Sequence, residues 1–279
     1  MSILNAISSG PSRTGIRMVL AGQEKMGKTT LVAGAPGVLL VPLEVGFAGV
    51  NVHKTPMLQS WEQVLQFMTE VTTLAQQGKF PYKTIALDSA TALERHIHDY
   101  ILRLDPTYKP NSNKMVTMES AHGGYGKAYN LANGVFESFL KQLDVLAVNA
   151  GINIILTCHV FSSKVNDPIV GEYNSWDLLL HSPKNEKTYG KREAIAQWAD
   201  VIGLLYEPLY LVGGDKGSAA RGVSQNKGRV LALSRTPSYT AGNRFGIIGE
   251  LALPNPPANG WNVFADAIYK SSGIDVFTR

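Results

Sequence analysis

Residues 22–29 read GQEKMGKT and match the pattern G-x-x-x-x-G-K-S/T at every fixed position. The spacing suits phosphate chemistry, because the glycines let backbone N–H groups converge on phosphate oxygens ahead of a helix. In such a loop Lys28 reaches the β- and γ-phosphates, and the Thr29 hydroxyl binds Mg²⁺. The alternative is a chance match, but a strand pattern before the loop and a helix pattern after it favour a nucleoside-triphosphate site. The predicted nucleotide-binding residues are Gly22, Gln23, Glu24, Lys25, Met26, Gly27, Lys28, Thr29 and Thr30.

Two acidic residues stand at the ends of apolar runs that read as strands. Asp88 follows residues 84–87 (TIAL), where a carboxylate can hold Mg²⁺ through water next to Thr29. The alternative is that Asp88 or Ser89 simply caps the next helix. Glu44 follows residues 38–43 (VLLVPL), where it either deprotonates the attacking water or is a solvated loop residue. We predict that Thr29 and Asp88 form the metal site, whereas the spacing alone leaves both readings of Glu44 open.

His159 follows a further apolar run, residues 153–157 (NIILT). A histidine at that position can sense the γ-phosphate through a hydrogen bond that is lost after hydrolysis. The alternative is a purely structural histidine. The predicted catalytic set is therefore Glu44, Lys28, Asp88 and His159.

Short apolar runs alternate with helical patterns along the chain. Continuous runs without strict alternation indicate strands that are covered on both faces, as in parallel sheets. Helical spacing begins after a capping box at residues 60–63 and stops at Gly78, and it returns in residues 127–150 and 261–270. The order predicts a three-layer α/β fold with a mainly parallel central sheet flanked by helices. Strands are predicted at residues 16–20, 38–43, 84–87, 153–157, 201–205 and 230–233, and segments without periodicity at 105–126, 161–191 and 213–228.

The composition of the chain excludes several classes of protein. The chain has 279 residues and a formal charge of 26 − 22 = +4, which is compatible with a polyanionic partner. Its one cysteine, Cys158, excludes an intrachain disulfide and a cysteine-based zinc site. Apolar runs are far shorter than the roughly 20 residues of a membrane helix, and no signal peptide is evident, so we expect a cytoplasmic protein without membrane contact. We divide it into a tail (1–14), one nucleotide-binding domain (15–252) and a C-terminal tail with a short helix (253–279).

Together these segments resemble the RecA-like recombinase core over residues 15–250. TIALDSATAL is similar to the Walker B segment of that superfamily, and LLVPLEVGFAGV to its strand with the catalytic glutamate. The closer resemblance is to phage RecA-like ATP-binding proteins, the Sak-type single-strand annealing recombinases. It is carried by GYGK (124–127) at the start of a long helix, His159, ADVIG (199–203) and the pair Asn243–Arg244. Two departures are Pro42 within the strand before Glu44, and Gly242 where a lysine is commoner.

The resemblance implies a RecA-like P-loop NTPase core that uses ATP and Mg²⁺. It implies that Lys28 and Thr29 bind nucleotide and metal, that Asp88 positions the metal, that Glu44 activates water and that His159 couples the γ-phosphate to the following loop. It also implies a homo-oligomeric ring or filament with ATP at subunit interfaces, where Arg244 would be the interface cation. Single-stranded DNA would occupy the centre, and a single-strand-binding protein is a further partner to test.

Two basic segments are candidates for the DNA contact. In residues 161–192 lysines and arginines alternate with aromatic residues that can stack on bases, although acidic residues offset most of the charge. Residues 213–244 are more strongly basic and begin with glycines that suit a mobile hairpin. The alternative for the first segment is a polar surface loop packed by its own aromatic residues, and for the second it is an ordinary solvated surface. The predicted DNA-binding residues are Lys164, Lys184, Lys187, Lys191, Arg192, Lys216, Arg221, Lys227 and Arg229.

The sequence therefore favours a DNA-dependent ATPase that promotes annealing or strand exchange in phage-type recombination. One alternative is a helicase or packaging motor of the same superfamily, which would unwind or translocate. Another is a P-loop kinase or nucleotide switch that does not bind DNA. His96 and His98 are two residues apart and point from different helix faces, so they are not a metalloprotease pair.

Overall fold

Apolar runs form one central sheet in the computed structural model, which describes residues 7, 14–110, 115–183, 189–213, 221–224, 228–255 and 257–275. The six predicted strands are confirmed, with ends that move by one residue. Within the described residues the strands are β1 (Arg17–Ala21), β2 (Val38–Pro42), β3 (His53–Lys54), β4 (Thr84–Asp88), β5 (Asn153–Cys158), β6 (Val160–Asp167), β7 (Gly171–Leu178), β8 (Val201–Tyr206), β9 (Leu209–Val212), β10 (Arg221–Ser224), β11 (Val230–Ala232), β12 (Gly242–Asn243) and β13 (Glu250–Ala252). The helices are α1 (Lys28–Val32), α2 (Trp61–Gln76), α3 (Ala90–Arg103), α4 (Lys127–Asp144), α5 (Lys191–Trp198) and α6 (Gly260–Ser272).

The sheet is mainly parallel, as predicted. Its strand order is β13-β11-β8-β1-β5-β4-β2-β3, with β12 beside β8. In this order the six neighbouring strands β8, β1, β5, β4, β2 and β3 run parallel to one another. Strands β11 and β12 run antiparallel to β8, and β13 runs antiparallel to β11. Because parallel strands end at the same edge, the residues after β1, β2, β4 and β5 meet in one crevice.

Helices cover both faces of the sheet. Successive side chains of a strand point to opposite faces, so Val19 belongs to the core that includes residues of α2, α3, α4 and α5, whereas its neighbour Leu20 belongs to the core that includes residues of α1 and α6. The first core is built around Trp61, Leu93, Phe136, Phe139 and Ile195, and the second around Leu31, Trp261 and Phe264. This arrangement confirms the three-layer α/β fold.

The predicted helix starts and stops follow local chemistry. The Ser60 hydroxyl caps α2 by accepting a hydrogen bond from the Gln63 N–H at 3.3 Å, and the chain leaves this helix through Gly78 at φ +66°. The long helix predicted at 127–150 is α4 followed by a π-helical turn at Val145–Asn149. Helix α6 buries Trp261, Phe264 and Ile268 in the second core, so the C-terminal segment is part of the packed structure.

The prediction that residues 161–191 lack regular structure is wrong. They contain the antiparallel hairpin β6–β7, which pairs Val160 with Leu178 and Asp167 with Gly171. Apart from the buried Val160 and Leu178 at its base, its side chains are exposed or only partly buried, so no apolar run marks the strands. A second antiparallel pair, β9–β10, starts just before the other basic segment and ends within it, and residues 214–220, between its two strands, are outside the described part. Among the described helices, none has the length and apolar character that a membrane crossing requires.

Candidate nucleotide-binding site

The phosphate loop connects β1 to α1 at the carboxyl edge of the sheet. Gly27 has φ +92°, a conformation that L-residues with a side chain rarely adopt, and this lets the loop turn into α1. The Lys28 ammonium is buried and donates hydrogen bonds to the carbonyl oxygens of Gly22 and Gln23, each at 2.8 Å. Burial lowers the pKa of Lys28, and the nearby Asp88 carboxylate opposes that change. The loop therefore holds its lysine in place inside the site.

Asp88 faces the phosphate loop. Its Oδ2 accepts a hydrogen bond from the Thr29 hydroxyl at 2.8 Å, and its Oδ1 accepts one from the Thr157 hydroxyl. The helix cap belongs to Ser89, whose hydroxyl accepts a hydrogen bond from the Ala92 N–H at 3.2 Å. The hydroxyl and carboxylate oxygens of Thr29 and Asp88 are ligands that suit Mg²⁺, which normally takes its remaining ligands from phosphates and water. The residues present thus fit the metal that the sequence predicts.

Glu44 and His159 form a hydrogen-bonded pair. The Glu44 Oε1 atom lies 2.8 Å from His159 Nε2 and also accepts a hydrogen bond from the Ser89 hydroxyl at 2.8 Å. Burial opposes ionisation of Glu44, but the hydrogen bonds from His159 and Ser89 outweigh it and hold the pKa of this carboxyl below its ordinary value. Glu44 is therefore a partnered carboxylate of the site, and the reading of it as a solvated loop residue does not hold.

His159 links the site to the hairpin that follows it. Its Nδ1 lies 3.4 Å from Lys28 Nζ and 3.7 Å from Glu24 Oε1. Its backbone N–H donates to the Thr91 hydroxyl at 3.1 Å, and its carbonyl accepts from the Leu179 N–H at 2.8 Å. Strand β6 of the hairpin begins at the next residue.

A cavity of about 490 Å³ lies between these groups. Most of the predicted residues line it, and the sequence analysis missed the contribution of the segment after Glu44. It also missed Ser89 and Thr157, which orient the two carboxylates; their only sequence signal is a position at or near the end of a strand. The lining residues are Glu24, Lys25, Gly27, Lys28, Thr29, Thr30, Glu44, Val45, Gly46, Val50, Asp88 and His159.

A phosphate loop at the end of a central parallel strand, with an acid on a nearby strand facing its threonine, defines a P-loop NTPase. A protein-family model described as an AAA domain matches residues 14–245, and the chain belongs to that family. The family supports nucleotide binding and hydrolysis at this site. A search of curated proteins found no match to this chain.

The described members of the predicted DNA-binding set lie in different surroundings. Lys164 on β6 is 78 % exposed, with its Nζ atom 3.7 Å from Glu172, and Arg221 on β10 is also exposed. Arg192 pairs with Asp177 at 2.7 Å. Arg229 lies beside Gly27 of the phosphate loop. Lys184, Lys187, Lys216 and Lys227 are outside the described residues.

The prediction that Lys191 contacts DNA is wrong. Its side chain is 0 % exposed, and its Nζ lies 3.0 Å from Asn133 Oδ1, 3.0 Å from His98 Nε2 and 3.5 Å from Glu94 Oε1. A lysine enclosed in this way cannot reach a phosphate backbone. It instead fixes the start of α5 against α3 and α4.

Arg244 has partners within its own chain. Its guanidinium lies 2.8 Å from Asp200 Oδ1 and donates to the Gln197 carbonyl at 2.6 Å. Asn243 braces the following turn by accepting hydrogen bonds from the Phe245 and Ile247 N–H groups. Arg244 remains 53 % exposed, and its role at a subunit interface stays a prediction.

Proposed function

We propose that this protein is a Mg²⁺-dependent ATPase whose nucleotide state controls the binding of single-stranded DNA, and that it promotes annealing or strand exchange as a phage-type recombinase. The observation that carries the proposal is the position of His159. It contacts Glu44 and Lys28 in the nucleotide site and immediately precedes β6 of the hairpin. Loss of the γ-phosphate would change the contacts of this imidazole, and the hairpin would respond.

The hydrolytic role that we assign to Glu44 follows from its two oxygens. Both hydrogen bonds described for its carboxylate go to Oε1, and among the described residues no hydrogen bond to Oε2 is present. The lowered pKa keeps the group ionised near neutral pH. Oε2 is thus a base able to take a proton from an attacking water. Bound Mg²⁺, held by Thr29 and Asp88, would neutralise charge on the phosphates.

The DNA part of the proposal rests on hairpin β6–β7 and on the basic character of the chain. Lys164 presents an exposed ammonium on β6, and Arg192 stacks over the Phe161 ring at 5.8 Å at the base of the same hairpin. The exposed ammonium of Lys164 suits the phosphates of a single strand, whereas Arg192 is only 22 % exposed and is paired with Asp177. Hairpin β9–β10 adds the exposed Arg221.

We also propose that the protein forms a homo-oligomer, on the basis of exposed apolar side chains. Strand β9 exposes Leu209 and Leu211 on one face of a two-stranded sheet and Tyr210 on the other. Burial of these side chains between copies of the chain would stabilise a ring or filament. Light scattering after size exclusion, with and without ATP, measures this directly.

The test of the proposed function is ATP turnover with and without single-stranded DNA at low salt. We expect DNA to change turnover of the wild type, and Glu44→Gln to lower turnover by about 10²- to 10⁴-fold because the general base is lost. Glu70→Gln is the matched control, since this exposed glutamate of α2 is not among the residues that line the nucleotide cavity.

Full turnover in Glu44→Gln would contradict the assigned base. If DNA neither binds nor changes turnover, the recombinase proposal is wrong and a DNA-independent nucleotide switch takes its place. ATP-driven unwinding would instead identify a motor.

A further inference from the structure

Another cavity, of about 400 Å³, lies between the phosphate loop and the base of hairpin β6–β7. Three aromatic residues line it: Trp176 of β7, Tyr206 at the end of β8, and Tyr239. Gln23 of the phosphate loop and Val160, the first residue of β6, line it as well. None of these five residues lines the cavity that holds the catalytic groups, so the two cavities are separate neighbours.

The aromatic walls of this cavity are held by the protein itself. The hydroxyls of Tyr206 and Tyr239 both donate to Glu250 Oε1, at 2.7 and 2.8 Å, and their ring centroids are 5.9 Å apart. The backbone N–H of Trp176 donates to the Ser238 carbonyl at 2.8 Å, which joins β7 to the segment that carries Tyr239. The two tyrosine rings and the backbone of Trp176 are therefore in place before a ligand binds, which lowers the entropic cost of binding.

The lining suits a planar aromatic group with polar edges. The volume lies within the range of about 300–1,000 Å³ that small-ligand sites have. Gln23 and Ser238 add an amide and a hydroxyl to the aromatic and aliphatic walls. Glu207 also lines the cavity, and its carboxylate accepts a hydrogen bond from the Ser224 hydroxyl. A nucleobase has the matching chemistry, because its face stacks on aromatic side chains and its edge carries hydrogen-bonding groups.

A polar face of the hairpin leads away from the cavity. Alternate residues of a strand, and directly paired residues of two antiparallel strands, share one face. Val160 and Trp176 of the cavity therefore lie on the same face as the pair Lys164–Asn174, and both members of that pair are exposed. The ion pair of Lys164 with Glu172, at 3.7 Å, is itself exposed and thus weak, so it does not keep the ammonium from a phosphate.

We propose that this cavity binds one base of a single DNA strand, stacked on its aromatic walls, while the face with Lys164 contacts the backbone of the same strand. The inference deepens the proposed function and rests on it. A free nucleotide would use the aromatic walls but not the face of the hairpin, so the combination favours a strand. The bound base would lie next to the nucleotide site, since Gln23 belongs to the phosphate loop and Val160 follows His159.

Trp176 provides a direct readout. The other three tryptophans of the chain, Trp61, Trp198 and Trp261, are buried, whereas Trp176 is only partly buried. We expect a dT oligonucleotide at low salt to quench the tryptophan fluorescence of the full chain, because a base stacks on this ring. An oligonucleotide of the same length made of abasic sites should not quench it, and dTMP should do so only at far higher concentration. Trp176→Phe should abolish the quenching but keep most of the DNA affinity.

Binding of a labelled dT oligonucleotide, followed by anisotropy, gives the energetic test. Trp176→Ala should weaken binding by about 5- to 150-fold, the range for a lost base–aromatic stack. Tyr239→Leu should weaken it less, because two aromatic walls remain. Tyr269→Ala is the matched control, since this tyrosine of α6 is 58 % exposed and does not line the cavity. If Trp176→Ala does not fold, Trp176→Leu and Tyr239→Leu decide by the same criteria.

Unchanged DNA affinity in Trp176→Ala, or equal quenching by the abasic oligonucleotide, would overturn the inference while leaving the proposed function intact. Quenching by dTMP at the concentration of the oligonucleotide would make the cavity a mononucleotide site instead. Quenching that rises with protein concentration in the absence of DNA would identify a second copy of the chain as the occupant. If the wild type does not bind the oligonucleotide at all, the inference and the DNA part of the proposed function are both wrong.

Discussion

Lys28 and Lys191 are both buried lysines whose pKa is lowered by burial, yet their surroundings differ. Lys28 donates to two backbone carbonyls and lines a cavity that is large enough for a ligand. Lys191 is fully enclosed by Asn133, His98 and Glu94. The comparison teaches that burial and a perturbed pKa do not identify a functional lysine; an open space beside its ammonium does.

The acids near the two lysines differ in the same way. Hydrogen bonds from His159 and Ser89 outweigh the burial of Glu44 and lower its pKa, whereas burial dominates at Glu94 and raises its pKa despite Lys191. Helix α3 connects the two regions, because Ser89 caps it and Glu94 lies little more than one turn further on. The cap of this helix at Ser89 therefore belongs to the ligand site, whereas Glu94 in its second turn belongs to the packed interior.

The largest effect that tests this comparison is on stability. Lys191→Ala leaves the Glu94 carboxyl buried without its cation, so we expect the free energy of unfolding to fall by about 3–5 kcal/mol. Lys28→Ala is the matched control and should cost less than about 1 kcal/mol, because water from the cavity can reach the carbonyls that it frees. Urea unfolding of both variants measures the difference.

A double variant separates charge from packing. Lys191→Met with Glu94→Gln removes both charges and keeps most of the volume, and it should recover most of the stability lost in Lys191→Ala. If Lys191→Ala and Lys28→Ala lower the free energy of unfolding by the same amount, the proposed difference between a structural and a ligand-site lysine is wrong.

The sequence analysis predicted the central fold well because it rested on strong local signals. Strands β2, β4 and β5 are buried along their whole length, and β1 is buried at every residue after Arg17, so each appears as an apolar run. The phosphate loop has fixed spacing, and Asp88, Glu44 and His159 were found because parallel strands deliver their ends to one edge. Hairpin β6–β7 was missed because its side chains are only partly buried and carry no such signal.

The errors at basic residues have a different cause. A basic stretch in the sequence does not tell which cations are satisfied by distant acids. Lys191 meets Glu94, almost a hundred positions earlier in the chain, and Arg229 reaches Gly27 through the pairing of β11 with β8. Long-range contacts of this kind are set by tertiary packing, and no local pattern predicts them.

A smaller effect concerns how the free energy of unfolding depends on pH through His98, which lies 3.0 Å from Lys191 Nζ. Burial, then the charges of Lys191 and His181, lower the pKa of His98 from 6.5 to about 3. Between those values the unfolded chain binds a proton that the native protein does not, so stability falls as the pH drops below 6.5. His98→Gln keeps a hydrogen-bond acceptor for Lys191 without this proton. We expect it to flatten the fall by up to about 1.4 kcal/mol per pH unit, measured by urea unfolding at pH 7.5, 6 and 5. An unchanged pH dependence would mean that His98 is protonated in the native protein.

The smallest expected effect is at Arg244, a cation that is neither enclosed nor beside a cavity. Asp200 keeps the Arg17 guanidinium at 2.7 Å when Arg244 is removed, so Arg244→Ala should cost less than about 1 kcal/mol in thermal unfolding. Arg17→Ala is the comparison and should cost more, because both Asp144 and Asp200 then lose a partner. Turnover separates the two roles of Arg244. If it acts across a subunit interface, Arg244→Ala lowers ATP turnover per subunit while the melting temperature stays near that of the wild type. If the ion pair with Asp200 is the whole role of Arg244, both ATP turnover and the melting temperature of Arg244→Ala stay near those of the wild type. The exposure of this arginine would then have no catalytic meaning.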